Sequence, residues 1–199
     1  MTRQNRFKKT EKPKMGAEFV RVISGSKRGT KLLFIESDSV RPTTDRVKEA
    51  VFNIIQFHVR DTAVLDLFAG CGGLGIEALS RGAKHAVFVD HGKETFSVLH
   101  KNIEKTGFGA QADCRLSEAE AYLRTAGEAF DLIFLDPPYH KGLAERALRL
   151  IDAQKRLHPG GRIVLECDGD EEISIPESFA VTKQAQYGRV KITILKIKE

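Results

Sequence analysis

From residue 63 onward, short apolar runs alternate with longer amphipathic segments, and this alternation constrains the fold more than any other feature of the sequence. The runs AVLDLF, HAVFVD, FDLIFLD and GRIVLE are rich in β-branched and aromatic residues, and a weaker run lies near QADCRL. Helical spacing dominates the segments between them, such as KETFSVLHKNIEKTG and GLAERALRLIDAQ. Such a series buries its apolar faces in a doubly wound, mainly parallel sheet with helices on both sides, so the sequence predicts an α/β fold.

The two ends of the chain depart from this alternation. FAVTKQAQYGRVKITILKI predicts a C-terminal hairpin, which would add an antiparallel strand to the sheet, and FVRVISGSKRGTKLLFI predicts a small hairpin near the N-terminus. In RPTTDRVKEAVFNIIQF the apolar spacing predicts a helix that begins near Thr44 or Asp45. We expect a flexible basic tail over residues 1–17, a separate N-terminal hairpin over 18–40 and the main domain over 41–199.

Positive charge is concentrated near the N-terminus. Residues 1–31 contain ten Lys or Arg and two Glu, whereas the whole chain of 199 residues carries a net charge of only +5. Such a cluster is typical of a surface that binds a polyanion, because each cation set against a phosphate releases counterions. A solubilising tail is the alternative. Since no apolar run approaches the ~18 residues of a membrane span and no secretory signal is recognisable, we expect a cytoplasmic protein without a membrane partner.

The cysteines and histidines do not follow a metal-binding pattern. Cys71, Cys114 and Cys167 lie far apart without a C-x-x-C pair, and no two of the six histidines form H-x-x-x-H. We therefore expect free thiols and no metal ion.

A glycine-rich loop follows the first predicted strand of the alternating region. In DLFAGCGGLG, Gly70, Gly72 and Gly75 have the spacing G-x-G-x-x-G between a strand and a helix, and Asp90 ends the next strand. An acid there accepts hydrogen bonds from ribose hydroxyls, which indicates NAD, FAD or S-adenosylmethionine, although a tight turn without a ligand has the same pattern. Asp66 favours S-adenosylmethionine, because its carboxylate would repel a pyrophosphate and attract an ammonium and a sulfonium group. It can also cap backbone N–H groups of the loop.

A second motif, FLDPPYH, follows the fourth predicted strand, where the loops of an open α/β sheet line the ligand crevice. Pro137 and Pro138 stiffen the backbone, which leaves carbonyl oxygens and the Asp136 carboxylate as rigid acceptors for an exocyclic amino group. Tyr139 presents a ring on which a base can stack, a contact worth about 1–3 kcal/mol. An ordinary turn with a buried tyrosine is the alternative for this motif taken alone.

The two motifs together resemble the class I S-adenosylmethionine-dependent methyltransferases, and D-P-P-Y is similar to the D/N-P-P-Y/F motif of members that methylate amino nitrogens. VRVISGSKRGTKL, RPTTDRVKEAVFNII and LDLFAGCGGLGIEALSRGA are similar to the bacterial RsmD family over roughly residues 19–165. That family methylates N2 of a guanine in 16S ribosomal RNA. The resemblance implies a seven-stranded sheet, S-adenosylmethionine as the cofactor, 16S rRNA or the small ribosomal subunit as the partner, and a monomer.

The resemblance also implies which residues form the site. The catalytic motif falls on Asp136, Pro137, Pro138 and Tyr139. The cofactor-binding positions fall on Asp66, Phe68, Ala69, Gly70, Gly72, Gly75, Asp90 and Glu118. Glu118 departs from the Asp or Asn that is usual beside the adenine, and Tyr139 replaces a frequent Phe. The charge pattern adds candidate RNA-binding residues, of which the last two could instead face the cofactor: Arg21, Lys27, Arg28, Lys31, Arg41 and Arg46.

The hypothesis is an in-line displacement in which the guanine N2 attacks the sulfonium methyl group. Asp136 and the Pro137 carbonyl would orient the amine, and Asp136 could take its proton. A paired guanine could not reach the cleft, so a loop or flipped nucleotide is expected. The alternatives are an adenine N6-methyltransferase acting on RNA or DNA, a protein-amine methyltransferase, a non-enzymatic RNA-binding factor and a nicotinamide oxidoreductase.

Overall fold

The structure, a computed structural model, describes residues 20–35 and 45–198. A small hairpin comprises β1 (Val20–Arg21) and β2 (Lys31–Leu32). The main sheet comprises β3 (Ala63–Leu67), β4 (His85–Asp90), β5 (Ala112–Leu116), β6 (Phe130–Leu135), β7 (Leu157–Asp168), β8 (Phe179–Tyr187) and β9 (Val190–Ile197). The helices are α1 (Asp45–Ile54), α2 (Gly73–Ser80), α3 (Lys93–Thr106), α4 (Ala119–Thr125) and α5 (Leu143–Ala153), with one 3-10 turn at Gln56–His58.

The seven strands of the main sheet have the order β5-β4-β3-β6-β7-β9-β8. Neighbours from β5 to β7 pair in parallel, whereas β9 lies between β7 and β8 and is antiparallel to both. The predicted doubly wound, mainly parallel sheet with a C-terminal hairpin is therefore confirmed. Because the chain winds outward in one direction from β3 and in the other from β6, the crevice between these strands is the switch point at which α/β sheets bind ligands.

Two apolar layers cover the faces of the sheet. One layer includes residues of α1, α2, α3 and the N-terminal hairpin, and Phe52 and Phe88 are buried in it. The other layer includes residues of α4 and α5, with Leu123 and Leu148 at its centre. Amphipathic helices of the predicted spacing supply both layers.

The N-terminal hairpin is docked along α2. Glu77, which is fully buried, accepts the backbone N–H groups of Ile23 and Ser24 at 2.7 and 3.0 Å. At the turn, Gly25 has φ +83°, and a Cβ there would lie 1.8 Å from the backbone oxygen of Ser80. Glycine is therefore required both by the left-handed backbone and by the close approach to the end of the helix.

Two boundaries differ from the sequence-based expectation or fall outside the described residues. The helix α1 contains Asp45, whereas Thr44 lies outside the described residues. β7 begins at Leu157, earlier than the run GRIVLE predicted, because its pairing with β6 continues across a register shift. Among the described residues, no helix has the length and apolar character needed to cross a membrane.

Candidate active site

Four acidic side chains lie at the carboxyl end of the central strands. Asp66 belongs to β3, Asp90 ends β4, Asp136 follows β6 and Glu166 belongs to β7. Because side chains alternate along a strand, each acid points toward the face covered by α1, α2 and α3, as do the apolar residues two positions earlier: Val64, Phe88, Phe134 and Val164. Three of the four acids were predicted site residues, and Glu166 was not.

Asp66 is buried in this row of acids, with 2% of its surface exposed. Its Oδ2 accepts the backbone N–H of Gly75 at 2.8 Å, so the structure contains the backbone cap that the sequence allowed. Burial, with smaller contributions from the charges of Asp136 and Asp90, raises the pKa of Asp66 to about 7. A cation bound nearby would stabilise the ionised form and lower this pKa.

The glycine loop combines tight packing with an open side. A Cβ at Gly75 would lie 2.3 Å from Phe88 Cε1, so the helix packs closely on β4 there. Gly70 has φ +53°, and a Cβ on it would meet nothing within 4 Å, which leaves its surface accessible to a ligand. Phe68 also has a positive φ of 75°, a strained conformation for a bulky residue, and its N–H donates to Val89 O at 3.0 Å. Backbone strain of this kind is concentrated at ligand-binding loops.

Asp90 is held by three hydrogen bonds from the protein. Its Oδ2 accepts the N–H of Gly70 at 2.8 Å, and its Oδ1 accepts the N–H of Gly92 and the hydroxyl of Thr95 at 2.8 and 2.7 Å. The carboxylate is therefore fixed between the glycine loop and the start of α3. Glu118, the other predicted position on this side, is exposed and precedes α4 without a side-chain cap.

The D-P-P-Y loop is attached to β7 and to the segment after it. The hydroxyl of Tyr139 donates to Glu166 Oε1 at 3.1 Å, and the N–H of His140 donates to Glu171 Oε1 at 2.9 Å. Burial, with the charges of Glu166 and Asp136, raises the pKa of Tyr139 far above its usual value, so the hydroxyl keeps its proton. Glu166 was missed because the sequence presents it only as the last residue of an apolar run.

Asn102 connects the residues after the hairpin to the glycine loop. Its Oδ1 accepts the N–H of Leu33 at 2.8 Å, and its Nδ2 donates to the carbonyl oxygens of Leu33 and Cys71 at 2.8 and 2.9 Å. The side chain is fully buried, and these three hydrogen bonds all join it to backbone groups. Asn102 was not among the residues predicted from the sequence. A polar residue on the apolar face of α3, three residues after Leu99 and next to Ile103, could have indicated a buried side chain with specific hydrogen-bond partners. Burial raises the pKa of the Cys71 thiol, so this cysteine is not an activated nucleophile.

The hairpin runs from the glycine loop to the far end of α2. Val20 approaches Gly73 at the start of the helix, whereas the N–H of Lys27 donates to the hydroxyl of Ser80 at its end. The eight residues of α2 span about 12 Å, so the basic turn is roughly this far from the glycine loop.

The candidate RNA-binding residues occupy different environments along this path. Arg21 forms an exposed ion pair with Asp45, with an Nε to Oδ2 distance of 2.6 Å. Lys27 is half-buried, and its ammonium lies 5.8 Å from the ring centroid of Phe108. Arg28, Lys31 and Arg46 are also exposed, and Arg41 lies outside the described residues.

A cluster beside the D-P-P-Y loop has the composition of a metal site. His140, Asp168 and Asp170 each place one ligand atom within 4.8 Å of the others. Asp168 Oδ2 already has a cationic partner in Arg189 Nη2 at 3.0 Å, and the other two residues are exposed. We assign no ion to this cluster, and the expected absence of a metal stays a prediction.

The strand order, the glycine loop after β3 and the D-P-P-Y loop after β6 define a class I methyltransferase. The solved structure of the yhhF protein from Escherichia coli is similar over 91% of this chain and 99% of that chain, with a TM-score of 0.81 and 30% identity.

The family described as Conserved hypothetical protein 95 matches residues 20–196. The relative named ribosomal RNA small subunit methyltransferase D in Haemophilus influenzae is 37% identical over 187 residues, which cover 92% of this chain and 96% of the relative. The YlbH protein of Bacillus subtilis is 40% identical over 183 residues, which cover 89% and 98% respectively. The chain therefore belongs to this methyltransferase family, and the resemblance to the RsmD family is confirmed.

Proposed function

We propose that the protein transfers the methyl group of S-adenosylmethionine to the exocyclic N2 of a guanine in 16S ribosomal RNA. The observation that carries this proposal is the convergence of the glycine loop, Asp90 and the D-P-P-Y loop around the switch point between β3 and β6. The relative named ribosomal RNA small subunit methyltransferase D supports ribosomal RNA as the substrate class.

The donor set fits a cationic adenosine ligand. Burial is the main cause of the raised pKa of Asp66, and the charges of Asp136 and Asp90 add to it. Positive charge placed among these carboxylates would relieve their repulsion. Asp90 is fixed by three donors, and a carboxylate has about four acceptor sites, which leaves capacity for a ribose hydroxyl. S-adenosylmethionine supplies an electrophilic methyl group when it is bound.

The residues of the D-P-P-Y loop orient the target amine. The Asp136 carboxylate and the Pro137 carbonyl accept its two N–H groups, which turns the nitrogen lone pair away from the purine ring and toward the methyl group. Asp136 then accepts the proton that the methylated nitrogen loses. The anchoring of Tyr139 and His140 keeps this loop rigid while the amine reacts.

The target base leaves its helix or comes from a loop, because a paired guanine cannot reach the cleft. Tyr139 provides the stacking face for it. Arg28 and Lys31 of the basic hairpin bind the phosphates that flank the target base. In the chain, this hairpin lies between the basic tail of residues 1–17 and the main domain of 41–199. The enzyme acts without a metal ion, as a cytoplasmic monomer, on the assembled or assembling subunit or its RNA.

The test is incubation of labelled S-adenosylmethionine with small ribosomal subunits, or with naked 16S rRNA, from cells lacking the enzyme. We expect label in N2-methylguanosine after digestion to nucleosides. Asp136→Ala, which removes both the amine acceptor and the proton acceptor, should lower the rate about 100-fold, within the range that positioned acid–base groups contribute. The matched control is Asp152→Ala on α5, where a partly exposed carboxylate forms an ion pair with Lys155.

Three outcomes would contradict the proposal. Equal labelling by the wild type and Asp136→Ala would contradict the assignment of Asp136 to the active site. Label in N6-methyladenosine would establish the alternative adenine activity, and label in protein would overturn the RNA substrate.

A further inference from the structure

The buried carboxylate of Glu166 lies within hydrogen-bond distance of the Tyr139 hydroxyl. Glu166 is 4% exposed, and its Oε1 accepts the Tyr139 hydroxyl at 3.1 Å. We propose that Glu166 is a positioning residue, which acts through the tyrosine hydroxyl to hold the Tyr139 ring in the orientation that stacks on the target base. This inference rests on the proposed function.

The two partners of this hydrogen bond belong to different parts of the backbone, one to a strand of the sheet and the other to a loop. Glu166 belongs to β7, which pairs with β6 on one side and β9 on the other, and its partner in β9 is Ile192. Tyr139 belongs to the loop after β6, outside the strands. The hydrogen bond to Glu166 therefore fixes the end of the Tyr139 side chain relative to a strand of the sheet.

The chemistry of this pair favours a hydrogen bond in which the tyrosine hydroxyl donates and the carboxylate accepts. A buried carboxylate is strongly destabilising unless donors satisfy it, and the tyrosine hydroxyl is a donor that keeps its proton here. Fixing the hydroxyl restricts both torsions of the ring, so less side-chain freedom is lost when a base binds. A phenylalanine at this position would keep the stacking face and lose only the anchor.

A second tyrosine–glutamate pair provides a matched control. The hydroxyl of Tyr122 donates to Glu128 Oε1 at 3.2 Å, and Tyr122 lies in α4, in the apolar layer on the opposite face of the sheet. This pair has the same chemistry and a similar length, but it lies outside the row of acids at the cleft. Removing the Tyr122–Glu128 hydrogen bond therefore measures how much a bond of this kind contributes to stability without an effect on the cleft.

The experiment is a double-mutant cycle measured on small ribosomal subunits with S-adenosylmethionine. We expect Tyr139→Phe and Glu166→Leu each to lower kcat about tenfold at saturating subunit, the size expected for losing a hydrogen bond to a charged group. The double variant should be no slower than Glu166→Leu alone, because the hydrogen bond that Tyr139→Phe removes is already absent from that variant. Glu166→Gln, which keeps an acceptor for the hydroxyl, should recover most of the rate.

Two further measurements separate positioning from a structural role. The Kd for S-adenosylmethionine, measured by calorimetry, should stay within about twofold in all Tyr139 and Glu166 variants, as expected for groups that do not bind the cofactor. Tyr122→Phe and Glu128→Leu should lower Tm and leave kcat within about twofold.

Full kcat for Tyr139→Phe would overturn the inference, and so would additive losses in the double variant. If Glu166→Leu does not fold, Tyr139→Phe and Tyr139→Phe/Glu166→Gln still decide, because the second change should then have no effect. If the wild type labels no RNA, the proposed function is wrong. If the wild type and Tyr139→Phe are equally active, the proposed function stands and only the positioning role of Glu166 is wrong.

Discussion

At the scale of single residues, burial changes the acid–base chemistry of one acid in the cleft. Asp66 is almost fully enclosed, and burial raises its pKa to about 7. The same physics acts on the thiols, since burial raises the pKa of Cys114 and Cys167 to about 11 and leaves both inert at neutral pH. The free cysteines expected from their spacing are confirmed.

The raised pKa of Asp66 predicts that cofactor affinity depends on pH. Most Asp66 is neutral at pH 5.5, so binding a cation beside it first requires loss of a proton. The Kd for S-adenosylmethionine should therefore fall as pH rises toward 7.5, by at most about tenfold per pH unit below the pKa. Calorimetry across this range measures the effect.

Two controls isolate the charge of Asp66. S-adenosylhomocysteine lacks the sulfonium charge and should show a weaker dependence, and Asp66→Asn should remove the part that belongs to this carboxyl. A Kd for S-adenosylmethionine that stays constant between pH 5.5 and 7.5 would contradict the prediction.

At the scale of elements, the N-terminal hairpin is part of the packed structure and not a projecting arm. Glu77 binds two of its backbone N–H groups, and Lys48, which is 1% exposed, donates to the Arg21 carbonyl oxygen at 2.5 Å. Asn102 continues the attachment to the glycine loop. Buried polar contacts therefore join the hairpin, which is expected to bind RNA, to the glycine loop, which is expected to bind the cofactor. Loss of one contact should weaken the others.

Removing Glu77 should destabilise the protein strongly. Glu77→Ala leaves the hairpin N–H groups without their acceptor and leaves Lys48 and Arg81 without the carboxylate that lies 3.9 and 2.7 Å from them. We expect the free energy of unfolding to fall by about 3–5 kcal/mol, as for other broken buried ion pairs. Urea denaturation measures this loss.

The matched control is Glu104→Ala on the exposed side of α3, which should change the free energy of unfolding by less than about 0.5 kcal/mol. A Glu77→Ala variant as stable as the wild type would show that the hairpin is not held through this carboxylate.

At the scale of the whole molecule, the acids of the cleft lie apart from the basic turn of the hairpin. The acids collect at the carboxyl end of the sheet, whereas Lys27 and Arg28 lie at the far end of α2. A substrate that reaches both must extend over at least about 12 Å, which a folded RNA does and a single nucleotide does not.

Reversing the charge of this turn should weaken RNA binding and leave the chemistry unchanged. Lys27→Glu/Arg28→Glu should raise the KM for small subunits and reduce the salt dependence of binding, because each lost phosphate contact lowers the logarithmic slope by about one. The Kd for S-adenosylmethionine should not change. Filter binding over a range of salt concentrations measures the slope.

The control replaces a matched exposed lysine elsewhere, Lys183→Glu on the edge strand β8. An equal effect of the two changes would indicate non-specific attraction to RNA, and no effect of the turn variant would remove the hairpin from the RNA interface.

Most elements of the fold were predictable because their signals are local. The weak strand at Ala112–Leu116 and the helix containing Asp45 both follow from apolar spacing within a few residues. The early start of β7 at Leu157 does not follow from local spacing, because it depends on a register shift in the pairing with β6, next to Phe130. Local spacing carries no information about which strands become neighbours.

The sequence by itself determined the α/β class, the glycine loop with Asp66 and Asp90, and the D-P-P-Y motif, because each depends on residues close together in the chain. Only the tertiary structure decided that Glu166 anchors Tyr139 from 27 residues away and that Asn102 joins Leu33 to the glycine loop from 69 residues beyond that leucine. The physical reason is that strand order and helix packing bring these side chains together, and pairing across such distances is fixed by burial of the whole core.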